Sequence, residues 1–400
     1  MKQKEKKRGV LSFYGFCRPD YGLRSLSQLF LCIKGDYIYE FQTLHIKKVG
    51  GEREREMEGE INNFIKAWLS VFTSLCYCYG IGKIVPKGTL RLLTIVPVVC
   101  LFLALPLTLR SMHLGGTSAF FIAWLANFKL LMFAFGKGPL SDPSISLPQF
   151  AAIASLPIKI VQNPSPKTSK KGQKSALNYA TKILLLVLFV RVYDYSEYIH
   201  PKVILVMYCF HIYFALEIMF AMVAALARTL LGFELEPQFD EPYLSSSLQD
   251  FWGRRWNMMV SRILRPTVYE PTLGFSTQLL GRKWAPLPAI FSTFLVSGLM
   301  HELIFYYLGR KRPTWDITRL FLLHGLCLMA EIAVKKVVTD KYRLPRIISG
   351  SLTVAFVFST GFWLFFPELF RCNAFERAFD EYAAVGAFMK DVGRALTFKS

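Results

Sequence analysis

The sequence lacks the cysteine spacing of a metal site or of a disulfide framework. Its eight cysteines are scattered along the chain, and no set of paired CxxC motifs occurs. Cys76 and Cys78 lie inside an apolar run, where a free cysteine behaves as a small hydrophobic residue. We therefore expect neither a metal centre nor a disulfide-stapled secreted fold.

The sequence also lacks the marks of a nucleic-acid-binding protein and of a transporter built from repeats. Its formal net charge is +20, but the lysines and arginines do not cluster among aromatic residues on a soluble domain. In a membrane protein such an excess indicates basic loops on the cytosolic side, and it can also attract an anionic ligand. No internal repeat is visible, which argues against a repeat-built transporter. We expect no nucleic-acid partner.

Apolar sequence is abundant instead. Hydrophobic residues make up 53% of the chain and the mean hydropathy is +0.33. We predict an all-α, polytopic membrane bundle with about eight transmembrane helices of about 20 residues each, plus interfacial amphipathic helices. The predicted spans are 64–81, 92–109, 119–135, 176–192, 203–231, 287–308, 317–338 and 347–370.

The segments outside these runs divide the chain in two. Residues 1–56 are charged and carry no chemistry, so we interpret them as a poorly ordered N-terminal extension before a membrane domain at 57–400. The Lys-rich stretch 140–175 is the clearest cytosolic loop by the positive-inside rule. By the same count, Arg310 to Arg312 face the other side, against that rule. The tail from Cys372 has the pattern of an interfacial amphipathic helix.

The run Leu287 to Leu308 carries an ionisable pair, His301 and Glu302, in its second half. Burying such groups in hydrocarbon is costly, so they are functional-site candidates. Ser297 and Gly298 precede His301 by one turn and leave room for a substrate or a neighbouring backbone. Imidazole, with an unperturbed pKa of about 6.5, suits a general base near neutral pH. Glu302 points elsewhere, because adjacent helix positions diverge by about 100°.

A loop between the fifth and sixth runs contains an amphipathic pattern over Leu248 to Leu264, with Ser247 as its N-cap. Leu248, Trp252, Trp256, Met259 and Ile263 share one face of this predicted surface helix. One interpretation is an inert interfacial helix. The other is that Arg254, Arg262 and Arg265 bind an anionic ligand while Asn257 points into the bundle.

These two segments together resemble a known family. Two motifs resemble the membrane-bound O-acyltransferase superfamily: FWGRRWN from Phe251 and SGLMHELIFYY from Ser297. A longer stretch looks like the plant-type wax synthases, the long-chain-alcohol O-fatty-acyltransferases: EPQFDEPYLSSSLQDFWGRRWN from Glu236. The resemblance covers residues 57 to 400. Relatives have an acidic residue and a second Trp where this chain has Arg254 and Arg255.

The resemblance implies acyl transfer from fatty acyl-CoA to a long-chain alcohol in the endoplasmic reticulum membrane, with no cofactor because acyl-CoA is a substrate. It makes His301 and Asn257 the catalytic pair. We expect direct attack of the hydroxyl on the thioester, with Asn257 donating a hydrogen bond to the oxyanion. The residues expected to contact acyl-CoA or the acceptor are Trp252, Arg254, Trp256, Arg265, Ser297 and Glu302.

Three alternatives remain open from the sequence. The acceptor is a sterol instead of a fatty alcohol, since an apolar tunnel discriminates weakly between similar molecules. The protein is a transporter, since these too place His and Glu inside the membrane. Or His211, His301 and His324 supply paired ligands to haem. His45, His113 and His200 are expected to be solvated.

Overall fold

The computed structural model describes residues 50–157, 176–231, 238–337 and 344–397. These residues form helices joined by turns, and no strand occurs among them. The all-α prediction is confirmed. Of the predicted extension 1–56, residues 1–49 lie outside the described residues, and residues 50–56 belong to the first helix. The helices are α1 Gly50–Ile84, α2 Thr89–Ala104, α3 Met112–Ala134, α4 Leu147–Ser155, α5 Ala176–Tyr193, α6 Pro201–Leu231, α7 Leu248–Asp250, α8 Met258–Leu264, α9 Glu270–Trp284, α10 Pro286–Gly309, α11 Asp316–Val337, α12 Arg346–Arg371 and α13 Ala374–Thr397.

Seven helices of the described residues are long and apolar enough to cross a membrane: α1, α2, α3, α6, α10, α11 and α12. Six of them bury only 17–44% of their most apolar window inside the protein, whereas α3 buries 83%. The six therefore present apolar side chains to lipid, and α3 lies at the centre of the bundle. A π-helical stretch, Ala119–Ala126, forms the middle of α3.

The predicted fourth span forms helix α5, which is not among those seven helices. It is 18 residues long and carries Lys182 and Arg191. Its ends nevertheless reach opposite parts of the bundle. Lys182 near its start hydrogen-bonds Glu241, which follows α6, while Tyr193 at its end packs against Phe379 of α13. Helix α5 therefore runs beside α6, and its crossing of the membrane stays a prediction.

Contacts at the ends of the spans define two faces of the bundle. At one, which we call the loop face, Glu331 of α11 accepts hydrogen bonds from the backbone N–H groups of Leu248 and Gln249. At the other, the far face, Arg310 donates to the carbonyl oxygens of Pro106 and Leu109 at 3.0 and 2.8 Å. The unexpected charge at Arg310 therefore caps the carbonyl end of a neighbouring segment, where a cation is favourable.

Part of the predicted cytosolic loop 140–175 is a buried helix, so the prediction was wrong there. Helix α4 begins with a capping box between Ser146 and Gln149, and Phe150 and Ile153 are buried in a core shared with α1, α2 and α3. Lys129 of α3 donates to the carbonyl oxygens of Ile153 and Leu156 at the end of α4. Residues 158–175 lie outside the described part.

The loop segment between α6 and α10 does not form the single surface helix predicted for Leu248 to Leu264. Ser247 caps α7 as expected, but the helix breaks at Trp256 and Asn257. The break is stabilised by the preceding loop, because Asp240 N–H donates to the Arg255 carbonyl and Met258 N–H donates to the Gln238 carbonyl, both at 2.9 Å. Phe251, Met259 and Ile263 are buried, so the segment lies between helices and not on a membrane surface.

Candidate active site

His301 lies between two aromatic side chains in the interior of the bundle. Its ring stacks on Phe321 of α11, with centroids 4.3 Å apart, and meets Trp124 of α3 edge-to-face at 5.0 Å. Nδ1 lies 2.7 Å from the carbonyl oxygen of Ser297, one turn earlier in α10. A carbonyl only accepts, so Nδ1 carries the proton and Nε2 presents a lone pair. The half-buried imidazole is therefore a base of fixed orientation.

The residues around His301 on α10 bind the neighbouring helix. A Cβ on Gly298 would lie 3.1 Å from the Thr318 Cα, so the glycine permits close approach of α11. The buried Glu302 carboxylate accepts a hydrogen bond from Thr318 N–H at 3.0 Å, in the first turn of α11. The sequence left open whether the small residues before His301 make room for a substrate or for a neighbouring backbone. At Gly298 the space is filled by the backbone of α11. Ser297 is buried, and its carbonyl group is what contacts His301.

The loop segment approaches His301 through one aromatic ring. Trp252 packs against Phe321 at 5.5 Å and Phe294 at 5.6 Å, and Phe321 in turn stacks on His301. The indole N–H of Trp252 donates to His324 Nδ1 at 3.1 Å, and His324 Nε2–H donates to Thr360 at 2.8 Å. The loop segment is thus held, through Trp252, against the face of Phe321 that lies next to His301.

Asn257 occupies the break between α7 and α8. Its backbone is left-handed, with φ 38°, a conformation that asparagine tolerates better than most residues. Its Oδ1 caps α8 by accepting from Val260 N–H at 3.5 Å, which leaves its NH₂ group as a donor. Trp256 beside it packs on Phe251 and Phe239. Among the described contacts, none joins Asn257 to His301.

The arginines of the loop segment differ in their surroundings. Arg254 is exposed, and the exposed Arg265 pairs with Glu270 at 3.2 Å. Arg255 binds Asp250 at 2.9 Å and the Asp240 carbonyl at 3.0 Å, which fixes the fold of the loop. Burial alone would raise the pKa of Asp250, but hydrogen bonds from Ser246 and Arg255 hold it below its usual value. Arg254 and Arg265 are therefore both exposed, and Arg265 already has an acidic partner.

The other intramembrane histidines belong to separate networks. His211 Nε2–H donates to Tyr382 Oη, and Tyr382 contacts His113 Nε2, both at 3.2 Å. His113, which was predicted to be solvated, donates from Nδ1–H to Glu381 at 2.6 Å while its side chain stays 39% exposed. His324 uses both ring nitrogens in hydrogen bonds and has neither left for iron. Among the described residues, no group of three or more His, Cys, Asp or Glu is arranged to hold a metal ion.

A cavity of about 430 Å³ lies between α5 and α6, away from these histidines. Lys182, Phe210, Phe214 and Tyr243 are among the residues that line it. Lys182 is buried and donates to Glu217 at 2.8 Å, so its charge is already compensated. Aromatic side chains and the ion-paired Lys182 line this cavity, and His301 is not among its lining residues.

The site residues missed by the sequence are Trp124 and Phe321, which form both walls of the His301 ring. Each lies in an apolar run, where an aromatic residue carries no periodic or polar signal. Together with the anchored imidazole they make an enclosed basic site at the centre of a polytopic helical bundle. The fold and the site therefore define a polytopic helical protein that holds an oriented imidazole among its membrane-spanning helices.

Comparison with known proteins identifies the class further. Residues 235–323 match the membrane bound O-acyl transferase family. The chain is 52% identical over 340 residues to acyl-CoA–sterol O-acyltransferase 1 of Arabidopsis thaliana, covering 84% of this chain and 98% of that protein. It is 46% identical over 334 residues to the long-chain-alcohol O-fatty-acyltransferase of Simmondsia chinensis, covering 82% and 95%. A probable long-chain-alcohol O-fatty-acyltransferase 1 of Arabidopsis thaliana is also 46% identical, over 81% and 96%.

The chain belongs to the membrane bound O-acyl transferase family, and within it to the group of these plant relatives. It is therefore an integral membrane acyltransferase. This membership confirms the resemblance seen in the loop and α10 motifs, and it sets the transporter and haem alternatives aside.

Proposed function

We propose that this chain transfers the acyl group of a fatty acyl-CoA to the hydroxyl of a long-chain fatty alcohol and so forms a wax ester. The observation that carries the proposal is the imidazole of His301, anchored through Nδ1 and enclosed at the centre of the bundle. The long-chain-alcohol relatives at 46% identity support the acceptor. We place the catalytic domain in residues 57–400 and the protein in the endoplasmic reticulum membrane.

In the proposed reaction His301 Nε2 accepts the proton of the acceptor hydroxyl. The oxygen attacks the thioester carbonyl, the new C–O bond forms, and the C–S bond then breaks. The CoA thiolate leaves and takes the proton back from Nε2, so the enzyme returns to its starting state. Exclusion of water protects the thioester from hydrolysis. No cofactor takes part, because acyl-CoA brings the activated acyl group.

The remaining roles follow from position. Asn257, with its NH₂ group free of the helix cap, is the proposed loop partner of His301. Arg254 and Arg265 bind the phosphates of CoA at the loop face, and Trp252 and Trp256 form the apolar wall next to it. Transfer is direct, because Ser297 offers His301 its carbonyl and not its hydroxyl. Ser297 and Glu302 support α10 beside the substrate.

A sterol is the second candidate acceptor. It is favoured by one observation, the 52% identity to an acyl-CoA–sterol O-acyltransferase over 84% of the chain. Both acceptors present one hydroxyl on an apolar body, so the chemistry at His301 is the same for either. The two proposals differ only in the shape of the apolar cavity that receives the acceptor.

The test uses membranes from cells that express the full chain, given labelled acyl-CoA with fatty alcohols, sterols and diacylglycerol. We expect one labelled ester class with wild type. His301→Ala should lower its formation by about 10²- to 10⁴-fold, the usual contribution of a general base. His200→Ala, an exposed histidine between α5 and α6, is the matched control and should retain activity. Full activity in His301→Ala, or no ester with any acceptor, would overturn the proposal.

A further inference from the structure

The indole N–H of Trp124 has no hydrogen-bond partner among the residues that the structure describes. Trp124 is 0% exposed, and its Nε1 atom is buried with no acceptor in the described part of the chain. Buried donors in folded proteins are nearly always paired, because an unpaired one destabilises the folded state. By contrast, the indole N–H groups of Trp68 and Trp252 donate to Ser118 and His324. The unpaired donor at Trp124 therefore requires an explanation.

The ring of Trp124 is held rigidly beside His301. It lies 5.0 Å from the imidazole, centroid to centroid, at an interplanar angle of 82°. Phe120 packs on it edge-to-face at 5.4 Å. It projects from the π-helical stretch of α3, the most enclosed span, and such stretches are frequent at functional sites. The donor is thus placed in advance and loses little freedom when a partner arrives.

The reaction assigned to this site needs a donor of this kind. Attack on a thioester places negative charge on the carbonyl oxygen, and fixed N–H groups stabilise that charge strongly where water is excluded. His301 is occupied with the hydroxyl proton and its Nδ1 donates to Ser297. The other candidate, Asn257, lies at the loop segment. Trp124, by contrast, is in direct contact with the imidazole ring of His301.

We propose that the indole N–H of Trp124 donates a hydrogen bond to the thioester carbonyl oxygen of bound acyl-CoA and stabilises the oxyanion. The hydroxyl proton passes to His301 Nε2 and the negative charge passes to the carbonyl oxygen facing Trp124. Collapse of the intermediate expels the thiolate, which regains that proton. This role rests on the proposed function and adds a catalytic residue on α3 to those on α10 and the loop.

The first test removes the N–H. The bond forms to the bound thioester and strengthens in the transition state. Trp124→Phe should therefore raise the KM for acyl-CoA about fivefold and lower kcat by about 10- to 100-fold. Trp68→Phe is the matched control: it removes an indole that is already paired with Ser118, and kcat should stay within about threefold. If Trp124→Phe fails to fold, benzothienylalanine at position 124 keeps the ring shape and replaces N–H by sulfur.

The second test does not depend on turnover. Two non-reactive analogues are compared: a ketone in which a methylene replaces the thioester sulfur, and an S-alkyl-CoA thioether without a carbonyl. Loss of the Trp124 N–H should weaken binding of the ketone at least about fivefold and leave the thioether unchanged, because only the ketone can accept the bond. Equal weakening of both, or of neither, would overturn the role of Trp124. Absence of ester formation by wild type would instead overturn the proposed function.

Discussion

At the scale of single residues, the intramembrane histidines of this chain are distinguished by which ring nitrogen is left unbound. His301 donates from Nδ1 and keeps a lone pair on Nε2, whereas both nitrogens of His324 are engaged. A general base needs an unbound ring nitrogen, as in His301. A histidine that links helices uses both nitrogens in hydrogen bonds, as in His324. The residue type and its apolar surroundings are the same in the two cases, so the sequence could nominate both positions but could not rank them by role.

His324→Phe is expected to destabilise the protein without removing the base. The substitution keeps the ring volume but leaves the partly buried indole N–H of Trp252 without its acceptor, at a cost of about 1–3 kcal/mol. Thermal unfolding of the detergent-solubilised protein should show the loss. The fraction that remains folded should keep far more activity than His301→Ala. Wild-type stability in His324→Phe would contradict this assignment.

At the scale of helices, the sequence predicted where apolar helices run but not how they meet. The eight predicted runs correspond to α1, α2, α3, α5, α6, α10, α11 and α12, because length and apolar content are local properties. The break at Trp256 and Asn257 depends on hydrogen bonds from Gln238 and Asp240, which no pattern within the segment encodes. Helix α4 did carry a local signal, the capping box from Ser146 to Gln149, within a loop assigned by its charge.

The close crossing of α10 and α11 gives a prediction at this scale. In Gly298→Ala the new Cβ would lie 3.1 Å from Thr318 Cα and 3.3 Å from Phe321 Cβ, so the helices must separate. Overpacking of this kind costs about 1–3 kcal/mol, and displacement of Phe321 should also lower kcat through its contact with His301. Thermal unfolding and esterification rates measure the two effects.

Gly274→Ala in α9 is the control for that variant. A Cβ there meets nothing within 4 Å, so alanine should be neutral or stabilise the helix by up to about 1 kcal/mol. If both alanine variants had the same effect on stability and rate, close packing at Gly298 would not be their cause.

At the scale of the whole molecule, the C-terminal helix α13 closes the far face of the bundle. The Glu381 carboxylate accepts hydrogen bonds from the backbone and the side chain of His113 at the start of α3. Arg377 donates to the Leu308 carbonyl at the end of α10. The tail was predicted as an interfacial helix from its amphipathic pattern, and its partners, distant in sequence, could not be read from that pattern.

This docking should depend on pH. Burial alone would raise the pKa of Glu381, but hydrogen bonds from His113 and Met112 lower it below its usual 4.5. A lowered pKa in the folded state means that the carboxylate stabilises the fold above pH 4.5 and that this contribution is lost as the pH falls through the folded-state pKa.

Glu381→Gln should therefore unfold at a lower temperature than wild type near neutral pH, and the difference should shrink under acidic conditions. Thermal unfolding in detergent across that range measures both curves. Two parallel curves would contradict the role of the carboxylate charge, because an effect of packing alone does not titrate.

The enclosure of α3 has a consequence for how the protein is made. The ammonium group of Lys129 is satisfied by the carbonyl oxygens of Ile153 and Leu156, which leave the ribosome only after the helix itself has been synthesised. Until then this segment is poorly suited to lipid, since a lone cation in hydrocarbon is costly. The hydrogen bonds that satisfy Lys129 can therefore form only once α4 has been synthesised, so the stability of α3 at the centre of the bundle depends on a segment that follows it in the chain.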